Sequence, residues 1–197
     1  MTARSHGDWR VLQPEDVAAL LRGYARRWWI AGGWALDLFL GRQTREHADL
    51  DVVVLRDDQE ALRAHFRDWE LHVAHDGVLE PWDGARLELP RHGLWARRAA
   101  DAPWELDLLL METREGEWVY RRDPAIALPL ERAGLVRGGI PFLAPELPLL
   151  YKSKAPRAHD EDDFAAVLPL LDEERRDWLR RAIASQDPGH PWLPRLG

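Results

Sequence analysis

The residues that first invite a chemical reading are Asp49-Leu50-Asp51, at the head of the run 50–55. β-Branched and apolar residues fill that run, which reads as a buried strand. Residues two apart in a strand point to one face, so the two carboxylates stand side by side and Leu50 turns into the core. Like charges that close raise one pKa unless a cation sits between them. Mg2+ suits the arrangement, because it binds through one or two carboxylates together with substrate phosphates. Two solvated acids at a strand entrance would read the same way, since so short a motif also arises by chance.

Two other stretches add to the pair. Ile30-Ala31-Gly32-Gly33-Trp34 reads as a strand end, two glycines and a helix start. Glycines let backbone approach a ligand closely, and the N–H groups of a helix start favour phosphate; a tight turn needing positive φ is the alternative. Downstream, Glu105-Leu106-Asp107-Leu108 places Asp107 in a strand otherwise apolar to Met111. A carboxylate there is costly unless paired or metal-bound. Glu105 shares its face and competes for its role, and Glu88 is a weaker third candidate. Three carboxylates on adjacent strands beside a phosphate-binding turn describe a two-metal phosphoryl-transfer site. One ion activates the attacking oxygen and the other holds the leaving phosphates.

The elements that must position these groups follow from periodicity. Helices are predicted at 15–27, at 34–40 (closed by Gly41) and at 57–69. Strands are predicted at 28–31, 50–55, 71–74, 87–89, 94–97 and 105–111, with an edge at 119–121. Gly138-Gly139 reads as a hairpin turn between 135–137 and 140–143. Three helices follow, at 147–154, 160–168 and 173–186, with Asp160 and Asp172 as N-caps. Pro169 should end the second and Asp187-Pro188-Gly189 the third. The expected fold class is α+β: a mixed sheet flanked by helices over residues 1–143, with a C-terminal helical segment, 144–197, packed on it. His190-Pro191-Trp192 should dock the tail.

Composition narrows the chemistry. With no Cys, disulfides, iron–sulfur clusters, thiolate zinc sites and cysteine nucleophiles are excluded. No apolar run approaches the roughly 20 residues of a membrane span. The first ten residues, MTARSHGDWR, lack the apolar segment of a secretory signal, so the cytosol is the expected compartment. A net charge of −7 argues against a nucleic-acid partner and fits a neutral or cationic small substrate better. All but two of the 27 cationic side chains are Arg; the exceptions, Lys152 and Lys154, lie almost together. Compact charges beside a phosphate would explain that pairing, as would chance placement on a solvated helix face. Trp82, Trp95 and Trp104 either stack on a base or sugar or fill the core, which better suits their size. His159 with Asp160 and Asp163 suggests a metal, although helix capping explains the acids better.

The stretch IAGGWALDLFLGRQTREHADLDVVV, residues 30–54, resembles the signature of the nucleotidyltransferase superfamily, the polymerase-β-like fold. Within it, the stretch is most similar to the aminoglycoside adenylyltransferases and lincosamide nucleotidyltransferases. Gly32, Gly33 and Trp34 match the first part of that pattern. Gly41, Thr44, Arg45 and His47 match the loop, and Asp49 and Asp51 match the carboxylate pair. The spacing from Gly33 to Asp49 is longer than the general superfamily pattern and suits this branch. The resemblance implies that Asp49, Asp51 and Asp107 ligate two Mg2+ ions, and that Asp107 takes the proton of an acceptor hydroxyl. It places Gly32, Gly33 and Trp34 at a nucleoside triphosphate. Residues 149–164, LLYKSKAPRAHDEDDF, are similar to a helix of the same group in which Lys approaches the phosphates, and Lys152 is the favoured match. Arg45 and His47 would touch phosphate or a carboxylate behind it, or cap the Asp49–Asp51 strand. One departure is Gly33, where many members carry Ser, so that only backbone N–H groups serve there.

The implied activity moves a nucleoside monophosphate, AMP from ATP, to a hydroxyl of a small molecule such as an aminoglycoside-type antibiotic, releasing pyrophosphate. Two alternatives stand beside it. Transfer to RNA or protein, as in toxin-type members, predicts a basic groove, which the net charge argues against. A non-catalytic binding module or antitoxin predicts loss of a triad acid, and all three are present. No feature of the sequence points to an oligomeric state.

Overall fold

A computed structural model describes residues 8–197; the first seven residues of the segment read above for a secretory signal lie outside them. The chain opens with α1 (Pro14–Leu20), β1 (Trp28–Ile30) and α2 (Gly32–Leu40), followed by β2 (Asp51–Leu55) and α3 (Gln59–His65). Strands β3 (Glu70–His75), β4 (Val78–Pro81), β5 (Gly93–Arg97) and β6 (Leu106–Met111) complete the first half. Then come β7 (Thr113–Arg114), β8 (Glu117–Val119), β9 (Ala127–Pro129), β10 (Gly134–Arg137) and β11 (Ile140–Leu143). Helices α4 (Glu146–Ser153), α5 (Ala158–Val167), α6 (Glu173–Gln186) and the short α7 (Leu193–Leu196) close the chain.

One mixed sheet runs in the order β10-β11-β1-β2-β6-β5-β3-β4, and a three-stranded sheet, β7-β8-β9, stands beside it. Within the large sheet, β1–β11 and β2–β6 pair in parallel and the other neighbours antiparallel. The central strands alternate by face: Val52 and Val54, like Leu106 and Leu108, are fully buried on one side. Asp51 and Asp107 therefore share the other side. A single cluster of buried apolar side chains runs from Leu21, Ile30 and Val52 to Phe164, Leu179 and Trp192, so the C-terminal helices share the core of the sheet.

Several boundaries differ from expectation for local reasons. The first helix stops at Leu20, and Gly23, at φ +87°, takes the left-handed conformation three residues on. Residues 87–89 form no strand, because the Leu87 backbone is held by a side chain: its N–H donates to Gln59 Oε1 (2.8 Å) and its carbonyl accepts from Gln59 Nε2 (3.1 Å). In its place β4 supplies the edge, entered through Asp76-Gly77 with both φ angles positive, the signature of a tight hairpin. Its Pro81 is tolerated because the strand has no outer neighbour. The expected edge at 119–121 is instead the end of β8, which sits in the middle of the small sheet. Asp160 lies inside α5 and not at its N-cap: it accepts from the N–H of Arg157 (2.9 Å), the actual cap. Asp172 does cap α6, accepting from the Arg175 N–H at 2.8 Å. The tail docks as expected, with the Trp192 ring stacked on Phe164 at 4.1 Å. Trp95 and Trp104 are buried, as their size suggested. No helix among the described residues is long and apolar enough to cross a membrane.

Candidate functional site

The site is built where β1 turns into α2. The Ala31 N–H donates to the Asp51 carbonyl at 2.9 Å, which fastens the turn to the head of β2. Gly32 has φ +60°, and a Cβ on it would collide with Asp51 Oδ2. Glycine is thus required twice, by the backbone angle and by the carboxylate resting against it. At Gly33 a Cβ would meet Arg45 Nη2 at 2.6 Å and His47 Nδ1 at 2.7 Å, so both side chains of the polar loop fold over the turn. Gly32→Ala should cost about 1–2 kcal/mol in backbone strain and push the Asp51 carboxylate aside. The expected result is a melting temperature lower by a few degrees and weaker nucleotide stabilisation, both read by thermal unfolding.

Asp51 and Asp107 are direct register partners on the parallel pair β2–β6. Adjacent strands lie about 4.8 Å apart, so the two carboxylates start from neighbouring backbone on one face. Asp49 precedes β2, and it and Asp51 line a cleft of about 600 Å3. Asp107 is more deeply set, at 7% exposure, and is itself not among the residues lining the cleft; its place beside Asp51 is what sets it apart from Glu105 and Glu88. The rival acids are elsewhere engaged. Glu105, also buried, accepts from Arg98 Nε at 3.0 Å, and Glu88 is exposed beside Arg86 (2.7 Å). Neither lines the cleft.

The opposite wall comes from α4 and α5. Lys152 Nζ reaches Asp160 Oδ1 (2.5 Å) and Asp163 Oδ2 (2.9 Å). Arg157 Nε contacts Asp160 Oδ2 (3.0 Å), and Arg45 Nη2 contacts Asp163 Oδ2 (3.4 Å). Burial pushes the Asp160 carboxyl up, but the hydrogen bonds from Arg157 and Lys152 outweigh it and hold the group well below the usual carboxylate range. Lys152 and Arg45 both line the cleft, and both are tied into this network around two buried acids.

Trp34 corrects an expectation. Its ring is buried, packs 4.6 Å from the His47 ring and is not among the residues lining the cleft. The first turn of α2 carries it inward, so it supports the loop and lies off the cleft. His47 Nε2 is also paired with Asp37 Oδ2 at 2.5 Å. Burial pushes Asp37 up, yet hydrogen bonds from His47 and Thr44 bring it below its ordinary value. The resulting Asp37–His47–Thr44 cluster locks the loop that leads into Asp49.

Cleft residues the sequence did not single out include Tyr151, Arg121, Arg122, His92 and Glu112. Tyr151 could have been found: with Pro148 and Lys152 it has the 0, 3, 4 spacing of one helix face. Arg121 and Arg122 carried no signal, being two of many arginines in a loop. Glu112 is bound to Arg56 (2.6 Å).

Residues 15–80, about a third of the chain, match the family of aminoglycoside-2''-adenylyltransferases. Three solved structures share the architecture. The crystal structure of ANT(2'')-Ia in complex with adenylyl-2''-tobramycin is 18% identical, covering 87% of this chain and 95% of that one, with a TM-score of 0.58. The fold is the nucleotidyltransferase fold. The lincomycin-bound lincosamide antibiotic adenylyltransferase LnuA is 18% identical, with 82% and 99% coverage and a TM-score of 0.57. An antigenic nucleotidyltransferase-like protein from Paracoccidioides brasiliensis is 18% identical, with 92% and 88% coverage and a TM-score of 0.50. A comparison with curated protein sequences finds no match. The mixed sheet with flanking helices expected from the sequence is borne out.

The donor set suits Mg2+. Among the described residues no group of three or more His, Asp or Glu is arranged to hold a metal ion. What the strands offer is carboxylates on one face, Asp51 and Asp107 in register with Asp49 leading in. Mg2+ is habitually bound in this way, by one or two carboxylates with nucleotide phosphates and water completing the shell.

Proposed function

We propose that this chain is a nucleotidyltransferase that moves AMP from ATP to a hydroxyl of a small molecule. The single observation that carries the reading is the pairing of Asp51 with Asp107 beneath the Gly32–Gly33 turn. The match of residues 15–80 and the fold support the same class of reaction. An antibiotic acceptor of the kind those relatives are named for is the natural comparison. The cleft is lined both by the 1–143 part and by the helical segment 144–197, so we treat the two as one catalytic unit. An ATP substrate puts the reaction in the cytosol.

In the reaction the acceptor oxygen bonds to the α-phosphorus, and the bond from that phosphorus to the bridging oxygen breaks. Pyrophosphate leaves with the electron pair, and the hydroxyl proton passes to the Asp107 carboxylate. Gly32 and Gly33 present backbone to the triphosphate, with no side chain between. Arg45, Lys152 and Arg157 face the charge that develops on the leaving pyrophosphate. Asp49 and Asp51, which line the cleft, would hold Mg2+ with Asp107 set deeper behind them, and the ion when bound would supply charge neutralisation at the phosphates.

Thermal unfolding with Mg2+ and each of the four nucleoside triphosphates tests this. At 100 times its Kd a nucleotide should stabilise the chain by about 2.7 kcal/mol, a shift of a few degrees. ATP should give the largest shift, and Asp49→Asn should lose it. No shift with any nucleotide overturns the proposal.

A further inference from the structure

The net charge of −7 suggests an acidic cleft, suited to a polycation, yet the cleft is lined by Arg45, Arg121, Arg122, Lys152, Lys154 and Arg157. Its carboxylates are already committed. Asp160 is bound by Lys152 and Arg157, Glu112 by Arg56, and Asp49 and Asp51 form the reaction centre proposed above. No acid of the cleft remains to receive an ammonium group.

Five of these six cations fall into two sets, and Lys154, just past α4, belongs to neither. Lys152 and Arg157 on the α4–α5 wall, with Arg45 from the loop before β2, lie beside the Gly32–Gly33 turn and share Asp160 and Asp163. Arg121 and Arg122 are separate, in the loop after β8 and against Tyr151. Arg122 is anchored by donating to the Tyr151 carbonyl and to Tyr120 Oη, both at 3.2 Å. Arg121 lies 5.5 Å from the centre of the Tyr151 ring and, among the described residues, has no carboxylate partner. Trp118 and Leu143 line the same cleft and supply apolar surface. A guanidinium that lines a cleft beside an aromatic ring suits an oxyanion, which it can bind through two parallel N–H donors.

We infer that the acceptor is a small hydroxyl compound carrying an anionic group, phosphate or carboxylate, which Arg121 and Arg122 hold while its hydroxyl is adenylylated. The inference rests on the nucleotidyl-transfer reading and narrows its acceptor. It also departs from the polycationic product named for the ANT(2'')-Ia complex.

The test is calorimetric binding in the presence of Mg2+ and a non-hydrolysable ATP analogue. Three probes are used: glucose 6-phosphate, a hydroxy-carboxylate of similar size (gluconate), and tobramycin. At least one anion should bind about tenfold or more tightly than tobramycin, and which of the two anions binds better distinguishes phosphate from carboxylate. Arg121→Gln should weaken that anion about tenfold and keep the nucleotide-induced thermal shift, while Arg121→Lys recovers part of the affinity. Tobramycin binding as tightly as either anion, no binding of either anion, or unchanged anion binding in Arg121→Gln each overturns the inference. So does loss of the nucleotide shift in Arg121→Gln, which assigns the arginine to ATP. A single-stranded RNA oligomer binding more tightly than both anions overturns it in favour of a nucleic-acid acceptor. No nucleotide shift in the wild-type chain overturns the parent reading and this one with it.

Discussion

Asp51→Asn is expected to lower turnover by about a thousandfold and to leave the fold intact. The substitution keeps the size and shape of the side chain, so the close approach to Gly32 and the Ala31–Asp51 backbone bond persist. What it removes is one negative charge beside Asp107, its register partner on β6. That charge is part of the donor set proposed for Mg2+, so its loss acts on the chemical step. Pyrophosphate release from ATP with a hydroxyl acceptor reads the first effect, and circular dichroism with thermal unfolding reads the second. Full activity in the variant would remove Asp51 from the reaction centre.

Lys152→Met is the counterpart on the opposite wall, and its larger effect is on stability. Lys152 ties together Asp160 and Asp163, whose side chains are only 2% and 4% exposed. Removing one partner of a buried ionic group typically costs about 3–5 kcal/mol, because a charge is left in the interior. Arg157 and Arg45 remain as partners from more exposed positions, at 3.0 and 3.4 Å, so the lower end, about 3 kcal/mol, is expected. The pH dependence has a definite sign. Asp160 is held below the ordinary carboxylate range in the folded chain, so its contribution is present above that range and is lost as pH falls through the depressed value. With Lys152 gone the depression shrinks, and acid unfolding should begin at a higher pH than in the wild type. Denaturant melts from neutral to acidic pH check both the size and the direction. A variant as stable as the wild type at neutral pH would mean that the two arginines alone satisfy both acids.

Much of the site was legible before any coordinates. Asp49-x-Asp51 on an apolar strand, a double glycine after another strand and a lone acid among leucines at Asp107 are all local patterns, and each reports an environment that its own neighbours create. Gly32 is the clearest case, since its type is dictated by a backbone angle and a contact only glycine permits. The hairpin at Gly138-Gly139, the Asp172 cap and the bounds of α6 were legible for the same reason. Misread stretches were those where long-range contacts overrode local preference. Gln59 takes the Leu87 backbone out of a strand, and β4 exists because β3 offers it an edge.

By itself, then, the sequence determined the class of fold, and it offered the candidate carboxylates and the glycine turn that lies against Asp51. Only the tertiary structure decided what surrounds them. It turned Trp34 inward, spent Lys152 on two buried acids, and brought Arg121 and Arg122 to Tyr151 from a separate loop. Charge summed along a chain says nothing about where the cations gather. A chain of net charge −7 can line its cleft with arginine and lysine because folding, not composition, chooses which charges face one another.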